Sequence, residues 1–162
     1  MPAGNPFNVT QYAILLSLFA KVSGLEVGNM TFSITDCHIY VNQLKGIKLQ
    51  LERYDRMCKW EEFIQTNTDS VIEQTYNELV TRLEFLENKI NANPLMKDEY
   101  QEIYRETKEE KMVLEHMLTR QNPVLWLADK DDFYQFDNSE NNKDIKVLNY
   151  THLPFIKMPV AQ

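Results

Sequence analysis

Ile72, Tyr76, Leu79, Leu83, Leu86 and Ile90 recur at steps of four and three. That spacing winds an apolar seam along one helix, and such a seam has to face a partner. Asn91-Ala92-Asn93-Pro94 interrupts it with turn-forming residues. Beyond the break, Ile103, Thr107, Glu110, Leu114 and Met117 take the same steps. Two helices joined by a short turn fold back on each other, so residues from about 57 to 118 read as a long antiparallel helical hairpin. Its second seam is the weaker, because Thr107 and Glu110 occupy it. The remaining charge reads as a solvated outer face.

The chain before the hairpin is of another kind. Asn5 and Pro6 have the pattern of an N-cap followed by the first helical residue. The helix they open runs to Gly24, a residue suited to a C-terminal cap. Phe7, Val9, Tyr12, Ile14, Leu15, Leu16, Leu18, Phe19 and Val22 leave it apolar around most of its circumference. A helix of that kind belongs inside a larger core. Gly28-Asn29 then turns the chain into an alternating run, NMTFSITDCHIY. A strand there puts Met30, Phe32, Ile34, Asp36, His38 and Tyr40 on one face. That face starts apolar and ends with an imidazole and a phenol pointing the same way. Two such groups can bind a small polar ligand at a sheet edge; they also suit a core strand with both groups satisfied internally. Asn42 reads as a cap for the next helix, which carries Leu44, Ile47 and Leu51 at helical spacing. After Asn122-Pro123, VLWLA reads as a short strand, DKDDFYQF as a turn or short helix and NSENN as a loop. DIKVLNY reads as a second strand, and THLPFIKMPVAQ as an extended end.

Several functions are set aside by composition. In 162 residues the net charge is -7, so there is no basic footprint for nucleic acid. The two cysteines, Cys37 and Cys58, have no CxxC spacing and no histidine cluster, which supports neither a zinc site nor a disulfide framework. The longest apolar run is too short to span a bilayer. The first residues lack the basic start and apolar stretch of a signal peptide. The expected setting is soluble, reduced and cytoplasmic, with no metal, no membrane and no nucleic acid.

Three separated stretches carry a resemblance. GNPFN opening into an apolar helix, DCHIYVN at a strand end, and NYTHLPFIKMPVA at the tail resemble, in order, the second half of the thymidylate synthase family. The family patterns are G-x-PFN, D-x-HIY-x-N and Y-x-x-x-P-x-I-K-x-P-V-A. The resemblance spans residues 4–53 and 119–162. It implies an α+β fold, with helices packed on a sheet and the hairpin at about 57–118 as an insertion. It also implies a methyltransferase that converts dUMP to dTMP with 5,10-methylenetetrahydrofolate as co-substrate.

In that family a cysteine thiolate, in a P-C-H context upstream of G-x-PFN, attacks C6 of the pyrimidine. No P-C-H motif occurs in these 162 residues, and neither Cys37 nor Cys58 matches it. The arginines that hold the substrate phosphate are missing as well. The resemblance therefore assigns no catalytic residue to this chain. It implies a C-terminal portion completed by an N-terminal portion on another chain, in a dimeric assembly, and inactive alone.

By resemblance Asn8 reads the pyrimidine: a carboxamide offers one donor and one acceptor, matching N3–H and O4 of uracil. His38 and Tyr40 match the pair that binds the deoxyribose 3'-hydroxyl, and Asp36 a supporting acid. Pro159, Val160 and Ala161 match the tail that closes over the folate, although Gln162 stands where the family usually has an aliphatic residue. Two alternatives fit the same residues. One is a hydroxymethylase of the same superfamily acting on dUMP. The other is a non-catalytic protein in which the hairpin binds a partner and the motifs are relics.

Overall fold

A computed structural model describes residues 5–92, 97–139, 141 and 143–159. The described elements are α1 (Asn5–Ser23), α2 (Leu44–Thr66), α3 (Asp69–Ala92), α4 (Lys97–Thr119), β1 (Val124–Leu127) and β2 (Ile145–Leu148), with 3-10 turns at Val41–Gln43 and Phe133–Gln135. Among the described residues the architecture is mostly helical, with one two-stranded antiparallel sheet, and is compatible with an α+β class. No helix is long and apolar enough to cross a membrane among the described residues. The chain divides into two compact units.

The first unit comprises residues 1–47, 121–151 and 157–162. α1 starts at the Asn5-Pro6 pair and ends at Gly24, whose φ of 64° is the left-handed conformation glycine adopts freely. Leu25 N–H donates to the Ala20 carbonyl at 2.9 Å and Gly24 N–H to that of Lys21 at 3.2 Å. Together these form a Schellman cap. Leu18 and Ala20 are buried, while Phe7, Tyr12 and Phe19 stay exposed. Phe19 stacks on Phe133 with ring centroids 5.1 Å apart. β1 pairs with β2 in the register Val124–Leu148 to Leu127–Ile145. Buried Asp144, just before β2, accepts from Asp137 N–H at 2.7 Å and pairs with Lys130 at 3.1 Å.

The strand expected over residues 29–40 does not form. Residues 25–40 carry no regular secondary structure, and among the described residues the sheet contains β1 and β2 alone. A strand exists only through a ladder to a neighbour, and neither β1 nor β2 supplies one here. Alternation in the sequence specifies which side chains share a face, not that a partner is present. The end of the run still leads into the 3-10 turn, which holds Asn42 within it rather than at a cap.

The second unit comprises residues 48–120 and 152–156. α3 and α4 form the antiparallel hairpin that the seam predicts. Ile72 and Leu86 are buried from α3, and Thr107, Val113, Leu114 and Met117 from α4. The hairpin has a third helix beside it. α2 runs unbroken through residue 57 to Thr66, so the change of character read near 57 falls inside a helix. From α2, Arg56 Nε and Trp60 Nε1 each donate to Glu110 at 3.0 Å. Arg53 is buried and donates to both carboxylate oxygens of Glu109, at 3.0 and 2.9 Å. Its remaining nitrogen donates to the Pro154 carbonyl at 2.7 Å. Across the hairpin, Tyr76 O–H donates to Glu115 at 2.6 Å, and Lys111 pairs with the same carboxylate.

Candidate functional site

Asp36, His38 and Tyr40 converge at the end of the extended run. A carboxylate oxygen of Asp36 lies 3.2 Å from His38 Nδ1. The rings of His38 and Tyr40 meet edge to face, with centroids 4.9 Å apart and planes at 83°. The i, i+2 spacing of an extended backbone is enough to bring them together. Tyr40 holds that conformation, at φ -75° and ψ 142°, where the chain enters the 3-10 turn.

The arrangement has a definite hydrogen-bonding sense. With its proton on Nδ1, His38 donates to Asp36 and keeps Nε2 as an acceptor. The Tyr40 phenol both donates and accepts. A neighbouring acceptor and donor suit an aliphatic hydroxyl, which offers one of each. His38 is half-buried and Asp36 exposed, so the cluster faces outward and can be reached by a ligand.

The other sequence-derived residues are placed as follows. Asn8 lies in the first turns of α1, exposed, and no hydrogen bond or ring contact ties it to the Asp36 cluster among the described residues. Pro159 is described, and its carbonyl accepts a hydrogen bond from Gln43 Nε2 at 3.1 Å. Val160 and Ala161 lie outside the described residues. Cys37 and Cys58 are free and exposed. No group of three or more His, Cys, Asp or Glu side chains is placed to hold a metal ion among the described residues.

Gln43 is the residue that reading the sequence missed. It is buried, three positions after Tyr40, and its N–H donates to the Tyr40 carbonyl at 2.9 Å. A glutamine at the start of a helix ordinarily reads as solvent-facing. Nothing local in VNQLKG marks it as a tie to residue 159.

An apolar groove of about 550 Å³ also belongs to this unit. Tyr12, Leu15, Leu16 and Phe19 of α1 line it together with Met30 and Phe32 of the extended run. Asn29 and Thr31 line it too, so the run meets α1 with consecutive residues rather than with one alternating face.

Comparison with known proteins bears on the same residues. The thymidylate synthase family model matches residues 1–82, a span holding Asn8, Asp36, His38 and Tyr40. Three similar relatives are the thymidylate synthase of Bacillus atrophaeus, thymidylate synthase 1 of Bacillus subtilis strain 168 and the thymidylate synthase of Bacillus phage phi3T. Each is 47% identical over 53 residues, a third of this chain. That stretch covers 23% of the first relative and 19% of the other two. The chain thus spans about a fifth of the length of the curated relatives it matches. No solved structure matches significantly.

Proposed function

The chain belongs to the thymidylate synthase family, and from that premise we propose that it supplies the nucleotide-sugar and closing parts of a site that methylates dUMP to dTMP with 5,10-methylenetetrahydrofolate. The convergence of Asp36, His38 and Tyr40 carries the reading. Asp36 orients the imidazole, and His38 with Tyr40 brackets the 3'-hydroxyl of the nucleotide. Asn8 reads the pyrimidine, and the segment from Pro159 through Val160 and Ala161 closes over the folate. Closure of this kind excludes water and strengthens every polar contact inside. The folate contributes the one-carbon unit and the reducing hydride.

The attacking thiolate comes from a segment other than residues 1–162, because neither cysteine here sits in a P-C-H context. A complementing N-terminal portion supplies it and the phosphate-binding arginines, in a dimeric cytoplasmic assembly. The hairpin is an insertion that takes no part in the chemistry.

Residues 1–162 should be purified alone and together with a family N-terminal portion, then assayed for tritium release from C5 of dUMP and for the mass of the product. The reading expects turnover from the pair and none from these residues alone. It fails if the pair, shown to be associated, neither binds dUMP nor releases tritium. A hydroxymethylated product would keep the site and change the reaction.

A further inference from the structure

Gln43 connects the two segments that the proposed site uses. Its backbone N–H holds the Tyr40 carbonyl at 2.9 Å, and its side-chain Nε2 holds the Pro159 carbonyl at 3.1 Å. The side chain is deeply buried, with the residue 5% exposed. Its carboxamide oxygen has no hydrogen-bond partner among the described residues. A buried acceptor left without a partner is unfavourable. Packing alone is served better by methionine, which has about the same length and no orphan oxygen. The glutamine is therefore explained by what its amide does.

We propose that Gln43 is a positioning residue that latches the closing segment, at Pro159, to the turn carrying Tyr40. The latch is half made in this structure. The amide donor is engaged, and the free oxygen accepts one further donor when nucleotide and folate bind. Gln43 touches neither reactant: it acts on the closing segment through the side chain and meets Tyr40 only through its backbone. The proposal rests on the functional reading above, and it extends that reading to a residue none of the motifs assigned.

The separate roles of side chain and backbone make the test selective. Gln43→Met removes the amide and leaves the backbone bond to Tyr40 intact. In the assembled enzyme, dUMP affinity should stay within about twofold. KM for methylenetetrahydrofolate should rise roughly two- to tenfold, the equilibrium effect of losing one neutral hydrogen bond. Tryptic cleavage after Lys157, read by mass spectrometry, should accelerate by a similar factor in residues 1–162 without any ligand. Gln43→Asn keeps the amide but is too short to reach Pro159; it should behave as Gln43→Met does, and serves if the methionine variant does not fold. Unchanged cleavage and unchanged folate KM in a folded variant would overturn the latch. If the wild-type assembly fails to bind dUMP, the functional reading falls, while the ligand-free cleavage assay still decides whether Gln43 holds the segment.

Discussion

Asp36, His38 and Tyr40 show what two-residue spacing specifies. The grouping was legible in DCHIYVN because alternate side chains of an extended backbone share a side whether or not a ladder forms. The proposed bracket makes a direct prediction. Tyr40→Phe keeps the ring against His38 and removes the phenol, so nucleotide affinity in the assembled enzyme should fall about fivefold, the effect of roughly 1 kcal/mol for one neutral hydrogen bond. Titration calorimetry with dUMP and with its 3'-deoxy analogue checks this: the variant should distinguish the two less than the wild type does, keeping only the share that His38 supplies. Asn8→Asp should shift the preference from dUMP toward dCMP, by up to about 10⁴-fold in kcat/KM where a partner is left unpaired. An unchanged ratio removes Asn8 as the base reader. Gln43, in contrast, could not be found from its neighbours in sequence. Its significance arises from a carbonyl 116 positions away, which no local pattern encodes.

At the level of elements, the hairpin was readable because steps of four and three survive in any helix pair. The contribution of α2 was not. Thr107 and Glu110 looked like weaknesses in the seam, but Glu110 is the acceptor for Arg56 and Trp60, and the Thr107 hydroxyl donates to the Ile103 carbonyl at 2.8 Å. A charged seam position such as Glu110 calls for a third element, and periodicity cannot name it. Arg53→Met should destabilise the second unit by roughly 3 kcal/mol in urea, because Glu109 loses its bidentate partner. Adding Glu109→Leu should recover most of the loss.

The same unit should weaken in acid in two steps. Burial, then the charges of Arg120 and His152, hold His116 below its ordinary value of 6.5. The unfolded chain therefore binds that proton more readily, and stability falls as pH drops from about 6.5 through the lower folded value. Glu115 is held below its ordinary 4.5 by hydrogen bonds from Lys111 and then Tyr76. Its contribution is present above 4.5 and is lost as pH falls through the depressed value. Urea midpoints against pH should show both steps, and His116→Gln should erase the first.

Across the whole molecule, protection against exchange should be uneven. Val113 and Leu114 are fully buried, whereas residues 25–40 have no regular secondary structure. Amide exchange should be slowest around Val113 and Leu114 and fast from Glu26 to Ile39. α1 explains part of the contrast. Its apolar circumference was visible in the sequence, and the core it implies is incomplete here: Phe7, Tyr12 and Phe19 remain exposed. Burying each would contribute roughly 1.5–3 kcal/mol. Association with the proposed N-terminal portion should slow exchange over residues 25–40, and no change there would argue against a partner that uses this surface.

The run from Leu25 to Ile39 sets a race. Leu25, Val27, Phe32, Ile34 and Ile39 are exposed in a stretch without regular secondary structure, and an exposed apolar, β-branched stretch of that kind is prone to pair with another copy of itself. Pairing between copies grows with the square of this chain's concentration, whereas capture by a complementing segment grows only in proportion to it. Making the chain slowly, into an excess of its complement, therefore favours the productive encounter; a burst of synthesis favours aggregation.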